Sequence, residues 1–275
     1  MAGMLYLVPT PIGNLGDISE RAVKTLQEAD FIAAEDTRVS VKLLNHLNIK
    51  KPLVSYHEHN KVESGAKIVS RLENGETCAL VTDAGSPAIS DPGEDLVRLC
   101  AERAIPVCAI PGPCALVTAL SVSALPTRRF CFEGFLPAQK KERRALLGSL
   151  HGEERTMIFY EAPHHLLQTL QELEATFGGE RKISLCRELT KLHEQIRRVT
   201  LEQAVCFYTE NEPRGEYVLV VEGAAAKEEA ATLDDAVAAA KRLIAAGLTK
   251  KDAVKQAAKD TGFPNNDLYD AIMLD

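Results

Sequence analysis

Val81-Thr82-Asp83-Ala84-Gly85-Ser86-Pro87-Ala88-Ile89-Ser90-Asp91-Pro92-Gly93 joins two segments of different periodicity. Before it, Cys78-Ala79-Leu80-Val81 is a short apolar run of strand type. After it, Leu96, Val97, Leu99 and Cys100 recur at helical spacing within residues 94–103. A strand therefore passes into a helix through a loop rich in Gly, Pro and Asp. Pro87 and Pro92 fix φ at their own positions, and Gly85 and Gly93 let backbone approach a ligand with no Cβ in the way. Ligands of α/β sheets sit outside the carboxyl ends of the strands, and this loop leaves such an end. A stiff turn with a helix start at Asp91-Pro92 explains the same residues without a ligand. The rest of the chain bears on the choice.

Outward from this loop, strands and helices alternate. Residues 4–8, 31–34, 53–56 and 106–110 read as strands. Residues 18–29, 39–47, 63–74 and 115–123 read as helices. This alternation predicts an α/β fold with a mostly parallel sheet covered by helices. The turns 9–17, 82–93 and 111–114 should then open on one rim. None matches the dinucleotide or triphosphate glycine patterns. Gly13-Asn14-Leu15-Gly16 satisfies a bare GXXG but follows a first strand, the wrong setting for a KH module.

Residues 123–129 mark a boundary, giving an N-terminal α/β domain over 1–125. A second α/β domain is expected over 126–223. It has strand-like segments at 130–137, 156–160, 182–186 and 216–221, helices over 140–150 and up to 177, and an extended stretch at 195–201. Residues 224–231 read as a linker, and 232–275 as a helical tail of three short helices. Gly247 suits a C′ position, Thr249 a cap, and Asn265 or Asn266 another cap. Helix–turn–helix and a small docking bundle both fit the tail.

The chain has 275 residues and a net charge of −7. That argues against general nucleic-acid binding but not against local basic faces. Residues 128–155 hold seven Lys/Arg against four Asp/Glu, and residues 181–200 hold six against two. Seven cysteines without a CxxC pair suggest buried thiols in a reducing, cytoplasmic setting. No run of about 18 apolar residues predicts a membrane span, and no signal peptide or metal site is read.

Several motifs together resemble the tetrapyrrole-methylase superfamily: Leu7-Val8-Pro9-Thr10-Pro11-Ile12-Gly13-Asn14-Leu15-Gly16-Asp17-Ile18, Glu35-Asp36-Thr37-Arg38, the loop 82–93 and Pro111-Gly112-Pro113. Tyr160-Glu161-Ala162-Pro163-His164, the run from Cys186 to Glu194 and Gly215-Glu216-Tyr217-Val218 are similar to one branch of it, which methylates small-subunit ribosomal RNA. The resemblance implies two α/β domains with S-adenosylmethionine (AdoMet) in the cleft between them, and a homodimer. The implied reaction is 2′-O-methylation of a decoding-centre cytidine (cytidine 1402) of 16S rRNA on the 30S subunit. It also implies donor contacts from Ser86, Ile89, Ala115, Leu116, Tyr160 and Tyr217. Asp83 and Gly85 would shape the loop, with Pro11 and Ile12 as further contacts.

A ribose hydroxyl needs a positioned base. Glu35, Asp36, Glu161, Glu188 and Lys191 stand at strand ends, and the sequence does not choose among them; Asp36 or Thr37 serves equally as a helix cap. His164 and His193 read as surface histidines. Arg38, Arg187 and Lys191 are alternatives for gripping phosphate. RNA contact is expected at Arg128, Arg129, residues 140–144, Arg197 and Arg198, and lysines 250, 251 and 255 of the tail are further candidates. Two other readings are a tetrapyrrole or corrin C-methylase and a non-catalytic ribosome-binding protein. The first needs a flat apolar cleft, yet the chain has no Trp and 5% aromatics.

Overall fold

The computed structural model describes residues 3–225 and 232–273. It divides into two compact units, 1–224 and 225–275. The first unit contains two sheets. One is built from β1 (Leu5–Leu7), β2 (Phe31–Ala34), β3 (Leu53–Ser55), β4 (Cys78–Val81) and β5 (Val107–Ala109). Its order is β3-β2-β4-β1-β5 and every pairing is parallel.

Short uninterrupted apolar strands suit a sheet buried on both faces, and β4 is buried at all four positions. Ala79 and Val81 pack with Leu26 of α1 (Glu20–Glu28) and Leu44 of α2 (Thr37–His46). Cys78 and Leu80 face the other way, onto Ile68 and Leu72 of α3 (Lys61–Glu73) and Leu96 of α4 (Gly93–Glu102). The neighbours β1 and β4 thus send their following helices to opposite faces, α1 to one and α4 to the other. That is a topological switch point, and it opens a crevice at their carboxyl ends. The three expected turns do share this rim.

The second sheet is mixed. It comprises β6 (Phe130–Phe135), β7 (Thr156–Glu161), β8 (Lys182–Arg187), β9 (Gln195–Thr200) and β10 (Tyr217–Val221), in the order β6-β7-β10-β8-β9. Only β6 and β7 pair in parallel. One face packs on α6 (Lys140–Ser149), α7 (Leu166–Phe177) and α8 (Leu201–Glu210) through Met157, Phe159, Leu219 and Val221. The sequence reading missed α8. The chain is extended only to Thr200, which caps the helix in a reciprocal box with Gln203. The other face, through Ile158, Val218 and Val220, packs on Leu116, Ala119 and Leu120 of α5 (Ala115–Val122). That helix follows the last strand of the first sheet, so it ties the two lobes together.

The second unit holds α9 (Leu233–Ala245), α10 (Lys250–Thr261) and α11 (Asn265–Met273) around Ala236, Ala240, Val254, Ala257, Leu268 and Ile272. Each helix touches the other two, so the tail is a three-helix bundle. Thr249 caps α10 as expected, and Gly247 and Gly262 have positive φ after α9 and α10. Asn265 and Asn266 are not caps, because α11 already includes them. The expected linker lies mostly outside the described residues.

Three cysteines are buried (Cys78, Cys100 and Cys186), Cys206 is exposed, and the other three are intermediate, so the expectation of buried thiols holds only in part. Among the described residues no helix is long and apolar enough to cross a membrane.

Leu120 is 5% exposed at the junction of the lobes. Leu120→Ala is expected to cost about 2–5 kcal/mol, read from the denaturation midpoint at constant m. A loss under about 1 kcal/mol would show that α5 does not carry the junction.

Candidate active site

The rim loops are laced to one another by main-chain contacts. Thr10 and Gly85 exchange N–H···O bonds of 2.9 and 3.0 Å, and the Thr10 hydroxyl donates to the Thr82 carbonyl at 3.1 Å. The Ser86 hydroxyl donates to the Pro113 carbonyl at 2.9 Å, tying in the third loop. Gly85 has φ +86°, and a Cβ there would stand 3.3 Å from Ile12 Cγ2. A side chain at this position would be both strained and crowded.

Asp91 holds the long loop in shape. Its carboxylate accepts from the amides of Ala88 (3.0 Å), Ile89 (3.3 Å) and Gly93 (2.7 Å). Ala88 and Ser90 have φ of +66° and +67°, costly for residues with a Cβ. Burial pushes the Asp91 carboxyl above its ordinary value, against the pull of these amides. The sequence reading saw only a helix start here. The signal it passed over was an Asp two residues before a Gly, able to turn the backbone onto itself.

A cavity of about 510 Å³ lies between these loops and the ends of β7, β8 and β10. Of the residues that the resemblance implies for the donor, Ile12, Asp83, Gly85, Ser86, Ile89, Ala115, Tyr160 and Tyr217 line it. Pro11 and Leu116 are not in the lining; Leu116 is buried behind it in the junction core. Tyr160 stands edge-on to Phe132 and Phe135, at 4.9 and 5.5 Å between centroids, and burial pushes its phenol up to about 12. Tyr217 is 3% exposed, and its ring packs against Tyr208 in the helical core.

The candidate reactive groups separate by their partners. Glu35 lines the cavity, with Oε2 accepting from the Thr82 hydroxyl at 2.6 Å. Its Oε1 takes no hydrogen bond among the described residues. Asp36 does not line the cavity; it caps α2 and clasps its own neighbour Arg38, with Nη2 to Oδ2 at 2.6 Å. That pairing holds its carboxyl down at about 2. The Asp36 amide donates to Asp83 Oδ1 at 3.0 Å, and partial burial raises the Asp83 carboxyl. Glu161 is 6% exposed and both its oxygens are taken, one by the Ala162 amide (2.9 Å) and one by the Thr169 hydroxyl.

Lys191 lies between two carboxylates, 2.9 Å from Glu188 Oε1 and 2.7 Å from Glu216 Oε2. Burial alone would lower its pKa, but the two acids outweigh that and raise it. Two carboxylate partners favour its ammonium form, which suits an ion-pairing role better than that of a base. Glu188 is raised by burial, yet the Glu216 amide and Lys191 outweigh the effect and hold it low. The tip of the first loop rests on this segment: a Cβ at Gly13 would stand 2.4 Å from Lys191 Cγ. Glu216 was not anticipated, and nothing local in the sequence couples it to Glu188, 28 residues away.

The lining holds six acids (Glu35, Asp83, Asp91, Glu161, Glu188, Glu216) and one cation, Lys191. Such a seat suits a ligand with positive charge. Of the expected RNA contacts, Arg128, Arg129, Lys140, Lys141 and Arg144 are exposed. Arg143 is not available: it is buried, bonded to Thr169 and Glu172. Arg197 stacks on Phe207 at 3.7 Å, and Arg198 donates to the Val122 carbonyl. His164 and His193 are exposed, as expected of surface histidines.

Residues 4–205 match the sequence model of the tetrapyrrole (corrin/porphyrin) methylases. The chain is 50% identical over 268 residues to the ribosomal RNA small subunit methyltransferase I of Synechocystis sp., covering 97% of this chain and 96% of that one. It is 50% identical over 271 residues to the protein of the same name from Halalkalibacterium halodurans, covering 97% and 93%. A uroporphyrin-III C-methyltransferase from Thermus thermophilus, solved with S-adenyl homocysteine, shares the fold. Its TM-score is 0.57 at 17% identity, over 80% of this chain and 97% of that one. The chain belongs to the tetrapyrrole methylase family.

The cluster of Glu188, Lys191 and Glu216 has a pH signature. A carboxyl whose folded pKa lies below its ordinary 4.5, as for Glu188, contributes stability that is fully present above pH 4.5. That contribution is lost as pH falls through the folded value. Lys191→Met removes the cation, so its stability should fall less steeply than wild type below pH 4.5. Parallel acid limbs in denaturant melts would uncouple Lys191 from Glu188.

Proposed function

We propose that this chain transfers a methyl group from AdoMet to the ribose 2′-hydroxyl of the decoding-centre cytidine of 16S rRNA, with the 30S subunit as substrate. It is a methyltransferase of the tetrapyrrole methylase family, and AdoMet is its methyl donor. The observation that carries the rRNA substrate is 50% identity along nearly the whole chain to small-subunit rRNA methyltransferases. Cytidine, the 2′ position, the 30S context, a homodimer and a cytoplasmic setting belong to the same proposal and rest on the resemblance. A tetrapyrrole substrate has weaker support. The C-methyltransferase likeness is one of fold at 17% identity, and the chain has no Trp for a flat apolar wall.

The residues fit the donor. Gly85 keeps a wall of the cavity free of a Cβ, Ser86 and Asp91 fix the backbone around it, and the acid lining suits a sulfonium. When bound, AdoMet supplies an electrophilic methyl whose transfer leaves a neutral thioether. Ile89, Ala115 and Tyr160 offer the apolar surface to hold it, and the Asp91-pinned loop removes the motion that would spoil alignment. Alignment of this kind contributes about 7–11 kcal/mol.

We assign the base to Glu35. Glu161 has both oxygens occupied, Asp36 is clasped by Arg38, Glu188 is ion-paired with Lys191 and accepts from the Glu216 amide, and Lys191 lies between two carboxylates. Glu35 faces the cavity with one oxygen steadied by Thr82 and one open to accept the 2′-hydroxyl proton.

Incubation with methyl-labelled AdoMet and 30S subunits should place label in 16S rRNA, recovered after nuclease digestion as a 2′-O-methylated cytidine. Label in a base, or none in rRNA but label in a porphyrinogen, would reject the reading. Glu35→Gln should lower kcat by about 10²-fold or more, with a much smaller weakening of donor Kd from the lost charge; an unchanged kcat would remove Glu35 as base.

A further inference from the structure

The three-helix unit carries a polarised charge pattern that the methyl-transfer site does not use. On α10, Lys251, Lys255 and Lys259 recur every four residues and are all exposed. Their Cα atoms rise about 6 Å per step along one side of the helix. The buried residues of α10 (Ala253, Val254 and Ala257) lie on the opposite side, against α9 and α11. None of the three lysines makes an ion pair among the described residues. The acids beside them are occupied elsewhere: Asp252 Oδ2 accepts from the Thr249 hydroxyl at 2.6 Å, and Asp260 Oδ1 accepts from Gln256 at 2.7 Å. Within residues 250–261 every exposed position is polar.

We propose that this lysine row is a contact surface for the phosphodiester backbone of the RNA substrate, a proposal that rests on the rRNA reading above. The chemistry favours a polyanion over a protein partner. Protein interfaces need buried apolar or aromatic anchors, and this side of α10 offers none. Ammonium groups act on phosphate as point charges without the fork needed to read base edges. The row therefore adds affinity without sequence preference, while discrimination stays with the catalytic unit. A regular file of unpaired lysines repels itself, and the repulsion is relieved when a strand of phosphates lies along it.

The test uses the full chain with Lys251, Lys255 and Lys259 all changed to Gln. Gln keeps nearly the helix propensity of Lys, so α10 should persist, checked by circular dichroism. Binding to 30S subunits is measured from 50 to 200 mM salt. Three lost phosphate contacts should make the slope of log K against log salt shallower by about two to three. The affinity lost across that salt range should then shrink by about 20- to 40-fold. Affinity for AdoMet should not change. A wild-type slope in the variant overturns the proposal, as does a changed oligomeric state in sedimentation with the slope intact, which would make the row a subunit contact. If wild-type protein itself fails to bind 30S subunits, the rRNA reading falls and the lysine row with it. If wild type binds and the variant shares its slope, only the lysine row is rejected.

Discussion

The second sheet is apolar on both faces, and this constraint governs the geometry of the first unit. Along β7 and β10, Met157, Phe159, Leu219 and Val221 point one way, and Ile158, Val218 and Val220 the other. An α/β sheet of this kind needs a layer on each side. Its own helices α6, α7 and α8 supply only one. The other comes from α5, which follows the last strand of the first sheet. Burying that helix at roughly 25 cal/mol per Å² of apolar surface locks one lobe on the other. It also brings Cys114 and Ala115 into the cavity lining. The cleft is thus a product of core packing, and its width is set by side chains such as Leu116 and Leu120 that lie outside the cavity lining.

Strain is concentrated where the lobes meet. Ala88 and Ser90 on one side and Glu188 and Thr190 on the other all have positive φ. Each costs of order 1–3 kcal/mol and persists only where its surroundings over-determine it. For the first pair the compensation is Asp91, whose bonds to three amides are charge-assisted. For the second it is the cluster of Glu188, Lys191 and Glu216, with the Glu188 amide also bonded to the Glu216 carbonyl. Both strained segments line the same cavity. A fold selected for stability alone would have little reason to hold two such loops face to face, so the strain itself points to this cavity as the working site.

Most of the fold was legible because its signals are local. Four-residue apolar runs followed by amphipathic helices declare a parallel sheet, and parallel strands put the turns 9–17, 82–93 and 111–114 on one rim. The misses have physical causes. The helix α8 lies in Leu-Glu-Gln-Ala-Val-Cys-Phe-Tyr, whose apolar and aromatic residues mask a helix, and its clearest mark was the capping pair Thr200 and Gln203. Arg143 sits in a run of charges that reads as basic surface. Yet it is four residues before the buried Leu147, on the same side of α6, and helical spacing alone would have turned it inward. Glu161 looked like a free carboxylate, since its partner Thr169 is on the following helix and bonds it only after packing. Pairs such as Glu188 with Glu216 depend on strand register, which no single segment encodes.

Charge segregation reconciles an acidic chain with a polyanionic substrate. A cavity with six acids and one lysine attracts a sulfonium but repels phosphate. At physiological salt that repulsion is felt over about 8 Å, a range that takes in the phosphates flanking a bound ribose. The proposed acceptor, however, is a sugar hydroxyl, the uncharged part of a nucleotide. A ribose presented to Glu35 satisfies the cavity only if its phosphates are held outside, and the first unit has cations for that: Arg128, Arg129, Lys140, Lys141 and Arg144 are exposed. The acids then do two jobs with one sign of charge. In the proposed reaction they would seat the donor and favour an acceptor that enters by its neutral face, the ribose hydroxyl over the phosphate oxygens. A uniformly basic protein would bind RNA more tightly but would lose that discrimination. The net charge of −7 is therefore compatible with an RNA-modifying enzyme, because the acids gather in the cavity lining while the exposed basic groups lie outside it.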